Sequence, residues 1–378
     1  MLKRNLARIL TNISGWTTNR KIVVIESDDW GSIRMPSKDV YEKCIQSGYP
    51  VDRIAYEKYD SIASMEDMEM LFETLKSHKD CKGNYPVITA NCMVANPDFD
   101  KIKASDFKTY HYELITETFK KYPQHKDNFE YWKQGLKEKI FYPQYHGREH
   151  LNVSLFMRAL QNGDRDAHFA FENEMPGSIP LGPEVKGNQY VVAMQYDSLE
   201  DKKDKLNIFL DGLEIFEQLF GYRSESTIPP NFVWSPDFNK AVMEKGVKYF
   251  QGIRRISEPM PGERNRRHPV YTGMKSEHGQ RYSVRNAIFE PSMFSVGIKD
   301  PVSQCLTEMN IAFRMCKPAV ITSHRINFVG FLDSNNRDRN LKMLNELLSR
   351  ALKRWPDIEF MTSDQLGRII DTSYNGKN

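Results

Sequence analysis

The stretch KIVVIESDDWGS, residues 21–32, runs from a segment of buried-strand character straight into three acids, Glu26, Asp28 and Asp29. Adjacent carboxylates repel, and a carboxylate near a core loses hydration. Something must offset that cost. A bound cation is the first candidate, so the rest of the chain is searched for its other ligands.

At 378 residues and 40% apolar content the chain can build a sizeable core, and one large α/β barrel with insertions reaches this length. The formal net charge is +3, too balanced for a typical nucleic-acid binder, so no nucleic-acid partner is expected. Five cysteines with no CxxC pair argue against a disulfide framework and suit a reducing compartment. The N-terminal MLKRNLARILTNISGW has no apolar run long enough for a signal peptide, and no window suits a membrane span. A cytoplasmic protein without a transmembrane segment is therefore expected. Leu2, Leu6, Ile9 and Leu10 share one helical face. That face reads as a helix packed on its own domain, with a membrane-surface helix as the alternative.

Strand-like runs alternate with helical ones. The strand candidates are residues 21–27, 85–94, 140–146, 228–235, 247–253, 285–292, 318–324 and 358–363. Helices are expected over 65–78, from 128 toward 139, up to Gly163, over 235–246 and over 338–356. This alternation points to an α/β fold with a mainly parallel sheet or barrel, whose chemistry gathers at the C-terminal strand ends. The Asp pair, His146 and His324 all fall at such ends. One domain over 1–378 is expected, with inserted loops near 164–200 (around MPGSIPLGPEVKGNQ) and 254–285 (around RRISEPMPGERNRRHPVYTG).

YHGREHLNV places His146 and His150 four residues apart. On a helix both imidazoles would point the same way. Two imidazoles and one carboxylate, from Asp28 or Asp29, form a facial set that leaves positions open for water and substrate. A divalent ion such as Zn²⁺ suits it.

The segments ESDDWG, HGREH, IPPNFVWSPD and AVITSHR, in this order, resemble the polysaccharide deacetylase family, the NodB-homology or carbohydrate esterase family four group. The resemblance runs from about residue 20 to about residue 370. It implies a deformed (β/α) barrel with one divalent metal ion, Zn²⁺ first among candidates, and removal of N- or O-acetyl groups from a sugar or polysaccharide. Carried over, Asp28 is the catalytic base, Asp29, His146 and His150 are the metal ligands, and His324 protonates the leaving group. The chain departs from the family pattern in three places. Glu26 and Ser27 stand where Thr-Phe is usual, Gly147 follows the first His where Ser or Thr is usual, and no Arg opens the third motif. Arg34, Arg254 and Arg285 are candidates for that steadying role, and Glu290 for the acid that supports His324.

Trp30 and Trp234 follow strand ends, where a sugar ring could stack or a core could be filled. With Asn231, Arg285 and Glu290 they make up the expected substrate-contacting set. Arg254, Arg255, Arg264, Arg266 and Arg267 could grip an anionic sugar or a diphosphate carrier, so a lipid- or nucleotide-linked substrate is expected among the possibilities. Two other readings stay open. HGREH also spells HxxEH, a zinc-peptidase motif with Glu149 as base and Glu225 as a third ligand. A non-catalytic carbohydrate-binding relative would account for the missing third-motif Arg.

Overall fold

A computed structural model describes residues 2–122, 124–176, 189–296 and 300–375. One sheet holds nine strands, and every pairing within it is parallel. In chain order they are β1 (Lys21–Trp30), β2 (Ile88–Met93), β3 (Phe141–Gly147), β4 (Ser226–Thr227), β5 (Tyr249–Gly252), β6 (Arg281–Val284), β7 (Ala287–Ile288), β8 (Ala319–His324) and β9 (Ile358–Phe360). Across the sheet the order is β6-β5-β4-β3-β2-β1-β8-β7, and β9 pairs with the start of β1.

Parallel strands covered on both faces must be apolar on both faces. β1 shows this: Val23 and Ile25 join the large core with Ile88, Phe141 and Ile321, while Ile22 and Val24 meet Val320, Leu366, Ile370 and Trp16. The crossovers carry helices, among them Met65–Lys76, whose first turn is closed by a reciprocal Ser64–Asp67 capping box.

The two edges of the sheet are consecutive in sequence. Only Arg285 and Asn286 separate β6, on β5, from β7, on β8. The Arg285 amide donates to the Gly252 carbonyl at 2.8 Å, and the Asn286 amide to that of Val320 at 3.0 Å. One segment thus pairs with both edges and curls the sheet into the expected deformed barrel.

β1 is irregular where its chemistry lies. Ser27 pairs with Ala90 and Trp30 with Cys92, so β1 carries one extra residue between them. Asp29 occupies that bulge at φ 73°. Neighbouring residues of a regular strand face opposite sides. The bulge turns Asp29 back, so that it and Asp28 line one cavity.

Several expectations need correction. Residues 228–235 are not a strand. The ladder ends at Thr227, because Pro229 and Pro230 have no amide to donate. The chain then enters a short 3₁₀ turn, Pro230–Phe232, with Asn231 and Phe232 at φ 54° and 57°. The 164–200 region contains the helix Arg165–Glu172, and a 22-residue helix begins at Leu199. Residues 177–188 of that expected loop lie outside the described residues. The 254–285 region holds an antiparallel ladder, Arg255–Glu258 with Arg266–Pro269, as well as β6. The N-terminal helix Leu2–Asn12 docks through polar groups, Arg8 to Glu308 and Asn12 to Asn286. Its apolar face is not packed: Leu6, Ile9 and Leu10 are exposed. Among the described residues no helix is long and apolar enough to cross a membrane.

The left-handed backbone at Asp29 suits Asp or Asn and penalises a β-branched residue. Asp29→Val is expected to be less stable than Asp29→Asn by about 1–2 kcal/mol in urea unfolding, because both lose the charge but only valine strains the bulge. Equal stabilities would refute the strain argument.

Candidate metal centre and catalytic site

Asp29, His146 and His150 converge at the C-terminal ends of β1 and β3. The Nε2 atoms of both histidines lie 3.6 Å from Oδ1 of Asp29, and the three donor atoms fall within 4.8 Å of one another. Ligands about 2.1 Å from one zinc-sized ion at tetrahedral angles sit roughly 3.4 Å apart, so the spacing suits such an ion. The helical argument for the HxxxH pair does not hold. His146 is on β3, and His150 lies in the turn before the helix Val153–Gln161.

The protonation pattern suits ligation. His146 donates its Nδ1 proton to the Ile228 carbonyl at 2.7 Å, which turns Nε2 toward Asp29. Burial pushes the His150 pKa down to about 4 against the pull of Asp29, so its imidazole is neutral near pH 7. Burial disfavours the charged form of Asp29, but His146, His150 and Arg34 outweigh it and hold its carboxyl well below the usual range.

Asp28 is held from several sides. Both guanidinium NH₂ groups of Arg285 donate to its two oxygens at 2.6 Å, and Asn91 Nδ2 donates to Oδ1 at 2.8 Å. Burial opposes ionisation here too, but the Arg285 charge and bonds, with His324 and His146 nearby, bring the pKa to about 2. Arg285 is itself anchored: its Nε donates to Glu26 Oε2 at 2.6 Å, and Ser363 donates to Glu26 Oε1 at 2.7 Å. Of the three candidate arginines, Arg285, in the barrel seam, is the one bonded to Asp28.

Beyond Asp28 stands His324, with Nε2 3.7 Å from Oδ2 of Asp28 and Nδ1 2.5 Å from Oε1 of Glu290. Asn327 holds the other Glu290 oxygen at 2.7 Å. Burial lowers the His324 pKa, but Glu290, Asp28 and Asp29 outweigh it and raise it to about 9. These groups line one cavity of about 460 Å³, walled by Ile54, Tyr56, Phe232 and other residues.

The structure sorts the expected substrate contacts. Asn231 lines the cavity. Trp30 and Trp234 are 0% and 1% exposed and are core residues, with Trp30 edge-on to Phe141 and Trp234 edge-on to Phe209, so neither can stack on a sugar. Arg285 and Glu290 are consumed by Asp28 and His324, so both are positioning groups. Arg254 is exposed and makes no bond to Asp28, while Arg34 reaches Asp29 at 3.4 Å. Glu149 is locked in a fork with Arg148 at 2.6 and 2.7 Å, and Glu225 pairs with Lys248 and Arg368 at the N-terminal end of β4, so neither can serve the HxxEH reading. Sequence reasoning missed Asn91, whose polar side chain inside a buried strand was the available signal.

No protein-family model and no curated protein sequence matches the chain. Among solved structures, one from Parabacteroides distasonis described as "a putative glycoside hydrolase/deacetylase" aligns over 94% of this chain and 72% of its own, with TM-score 0.51 and 9% identity. A "probable Polysaccharide deacetylase" from Pseudomonas aeruginosa PAO1 aligns over 93% and 91%, with TM-score 0.46 and 12% identity. A 4-alpha-glucanotransferase from Thermococcus litoralis aligns over 92% of this chain, which spans 40% of that one, with TM-score 0.45 and 11% identity. The likeness to the Parabacteroides distasonis structure is one of fold, in keeping with the deformed (β/α) barrel expected from the sequence.

Two outcomes test the site. Calorimetric titration with Zn²⁺ should give one site per chain in the wild type and none in His146→Ala/His150→Ala; an unchanged stoichiometry would remove the triad. For metal-free protein the linkage runs in opposite senses. His324, raised from 6.5 to about 9, adds stability that is complete below pH 6.5 and lost as pH rises through 9. Asp28, lowered from 3.8 to about 2, adds stability present above pH 3.8 and lost as pH falls through 2. The His324 share of the unfolding free energy should therefore fall by roughly 3 kcal/mol between pH 6.5 and 9, and His324→Gln should lose that share of the decline while keeping the part due to Glu57, raised to about 8.

Proposed function

We propose that this protein is a metal-dependent hydrolase that removes N- or O-acetyl groups from a sugar or polysaccharide intermediate. The observation that carries the reading is the pairing, beside a three-ligand cluster, of an always-ionised carboxylate with a histidine held protonated. That is the division of labour acyl hydrolysis needs: one group to take a proton from water and one to give a proton to the leaving atom.

Asp29, His146 and His150 would hold the ion. A divalent ion there would polarise the acyl carbonyl and lower the pKa of water. Asp28, with Arg285 and Asn91 fixing both oxygens, accepts the proton of the attacking water. Its low pKa makes it a weak but permanently available acceptor, so the proton does not stay on it. His324 carries its Nδ1 proton on Glu290 and turns the Nε2 proton toward the cavity, where it passes to the departing amine or alkoxide. Ile54 and Phe232 give the cavity an apolar wall beside these groups.

The reading of a non-catalytic relative loses its main support, since Arg285 occupies the place of the missing third-motif Arg. A charged substrate portion remains part of the proposal. Arg254, Arg255, Arg264, Arg266 and Arg267 are all exposed, and among the described residues none forms an ion pair. Their hairpin borders the cavity wall: the Trp234 amide, two residues past Phe232, donates to the Ser257 carbonyl at 2.9 Å. A lipid- or nucleotide-linked acetylamino sugar, with its diphosphate on these arginines, fits that placement.

An acetate-release screen should show turnover on acetylated amino sugars, with higher kcat/KM on diphosphate-linked donors than on the free sugars. Asp28→Asn should lower kcat at least 100-fold while keeping the metal, and Glu149→Gln should not reproduce that loss. Arg285→Gln should move the acidic limb of kcat/KM to higher pH, because the charge holding the Asp28 pKa down is gone. Full activity in Asp28→Asn would end this assignment.

A further inference from the structure

Glu57 lies on the short helix Ala55–Tyr59 and lines the same cavity. Its residue exposure is 1%, yet neither carboxyl oxygen has a hydrogen-bond partner among the described residues. The other acids around the cavity are all engaged: Asp28 by Arg285, Glu290 by His324 and Asn327, and Asp60 by a fork from Arg325 at 3.0 Å. Arg34 shares the wall but turns toward Asp29 and stands 3.6 Å from Asp60, and it forms no ion pair with Glu57. Burial pushes the Glu57 carboxyl up to about 8 against the charge of Arg34. A buried polar group left without a partner costs stability and calls for a reason. Nothing in the catalytic arrangement above uses this one.

We propose that Glu57 is a specificity-determining residue that binds a hydroxyl of the sugar bearing the acetyl group. The surroundings select for that chemistry. The cavity carries both signs of charge, Arg34 and the His324 imidazolium beside Asp28 and Asp29, so it favours neither an ammonium nor an anion outright. A hydroxyl is uncharged and can both donate and accept, as the carboxyl can. The apolar side chains of Ile54, Val191 and Phe232 on the same cavity wall suit the carbon face of a sugar ring. This inference rests on the deacetylase reading, and its test separates the two.

The test compares N,N′-diacetylchitobiose with cyclohexyl acetate, a six-membered ring bearing an acetyl ester and no hydroxyl, in zinc-loaded wild type and Glu57→Leu. The wild type should favour the sugar. The ratio of the two kcat/KM values should fall in Glu57→Leu on the order of 10- to 100-fold, since the variant loses one buried hydrogen bond that only the sugar makes. Thermal unfolding of Glu57→Leu should occur at a higher temperature than in the wild type, because the unpaired carboxyl is removed. Glu57→Gln, which keeps a donor and an acceptor, should retain part of the preference. An unchanged ratio with a lower unfolding temperature would make Glu57 a structural residue and overturn the inference while leaving the deacetylase reading intact. If the wild type neither cleaves nor binds the disaccharide in calorimetry, yet cleaves the ester, the sugar reading and the Glu57 assignment fall together.

Discussion

The site depends on one buried guanidinium. Arg285 has a side chain 1% exposed and directs three nitrogens at two acids of β1, Asp28 and Glu26. Burying these charges is costly, and the cost is met only if every lone pair and proton finds a partner. Here they do. Ser363 satisfies the remaining oxygen of Glu26, and Asn91 adds a bond to Asp28. Asn91 is in turn paired with Gln251, which also reaches Ser226. The network links β1, β2, β4, β5, the barrel seam and the helix Ser363–Asn375. Its cationic centre fixes an ionised carboxylate at the mouth of the cavity.

Around that centre the field is polarised in two steps. Arg285 pulls the Asp28 pKa down, while Glu290 pushes the His324 pKa up. Two groups whose Nε2 and Oδ2 atoms are 3.7 Å apart thus hold opposite protonation states across the neutral pH range. The ligand cluster sits beside them with a neutral His150 and a deprotonated Asp29. The shifts are coupled, since His324 lowers both aspartates and both aspartates raise His324.

Much of this was legible in the sequence, for physical reasons. Paired acids after Ile22–Ile25 have few explanations other than a cation. His146 and His324 end runs whose apolar character marks them as parallel strands. What stayed hidden was geometry that no local pattern encodes. The bulge at Asp29 shows only in the register of β1 against β2, where Ser27 and Trp30 bracket one unmatched residue. Arg285 could be named as a candidate but not placed, because its role depends on β6 and β7 pairing with different neighbours. The stretch 228–235 looked like a strand from its apolar residues, but two prolines ended the ladder, and its backbone became a site wall whose Ile228 carbonyl orients His146. The spacing of His146 and His150 led to a pair that does converge on Asp29, though through a conformation other than the expected helix. Leu6, Ile9 and Leu10 were periodic enough to predict a helix, but periodicity does not say what covers its apolar face.

The seam between β6 and β7 has one more consequence. The residue that bridges to β5 by its amide, on Gly252, also holds Asp28 ionised by its side chain. Closure and arming are therefore a single event, and the seam works as an interlock. A seam that did not bridge β5 and β8 would leave Asp28 without its guanidinium partner.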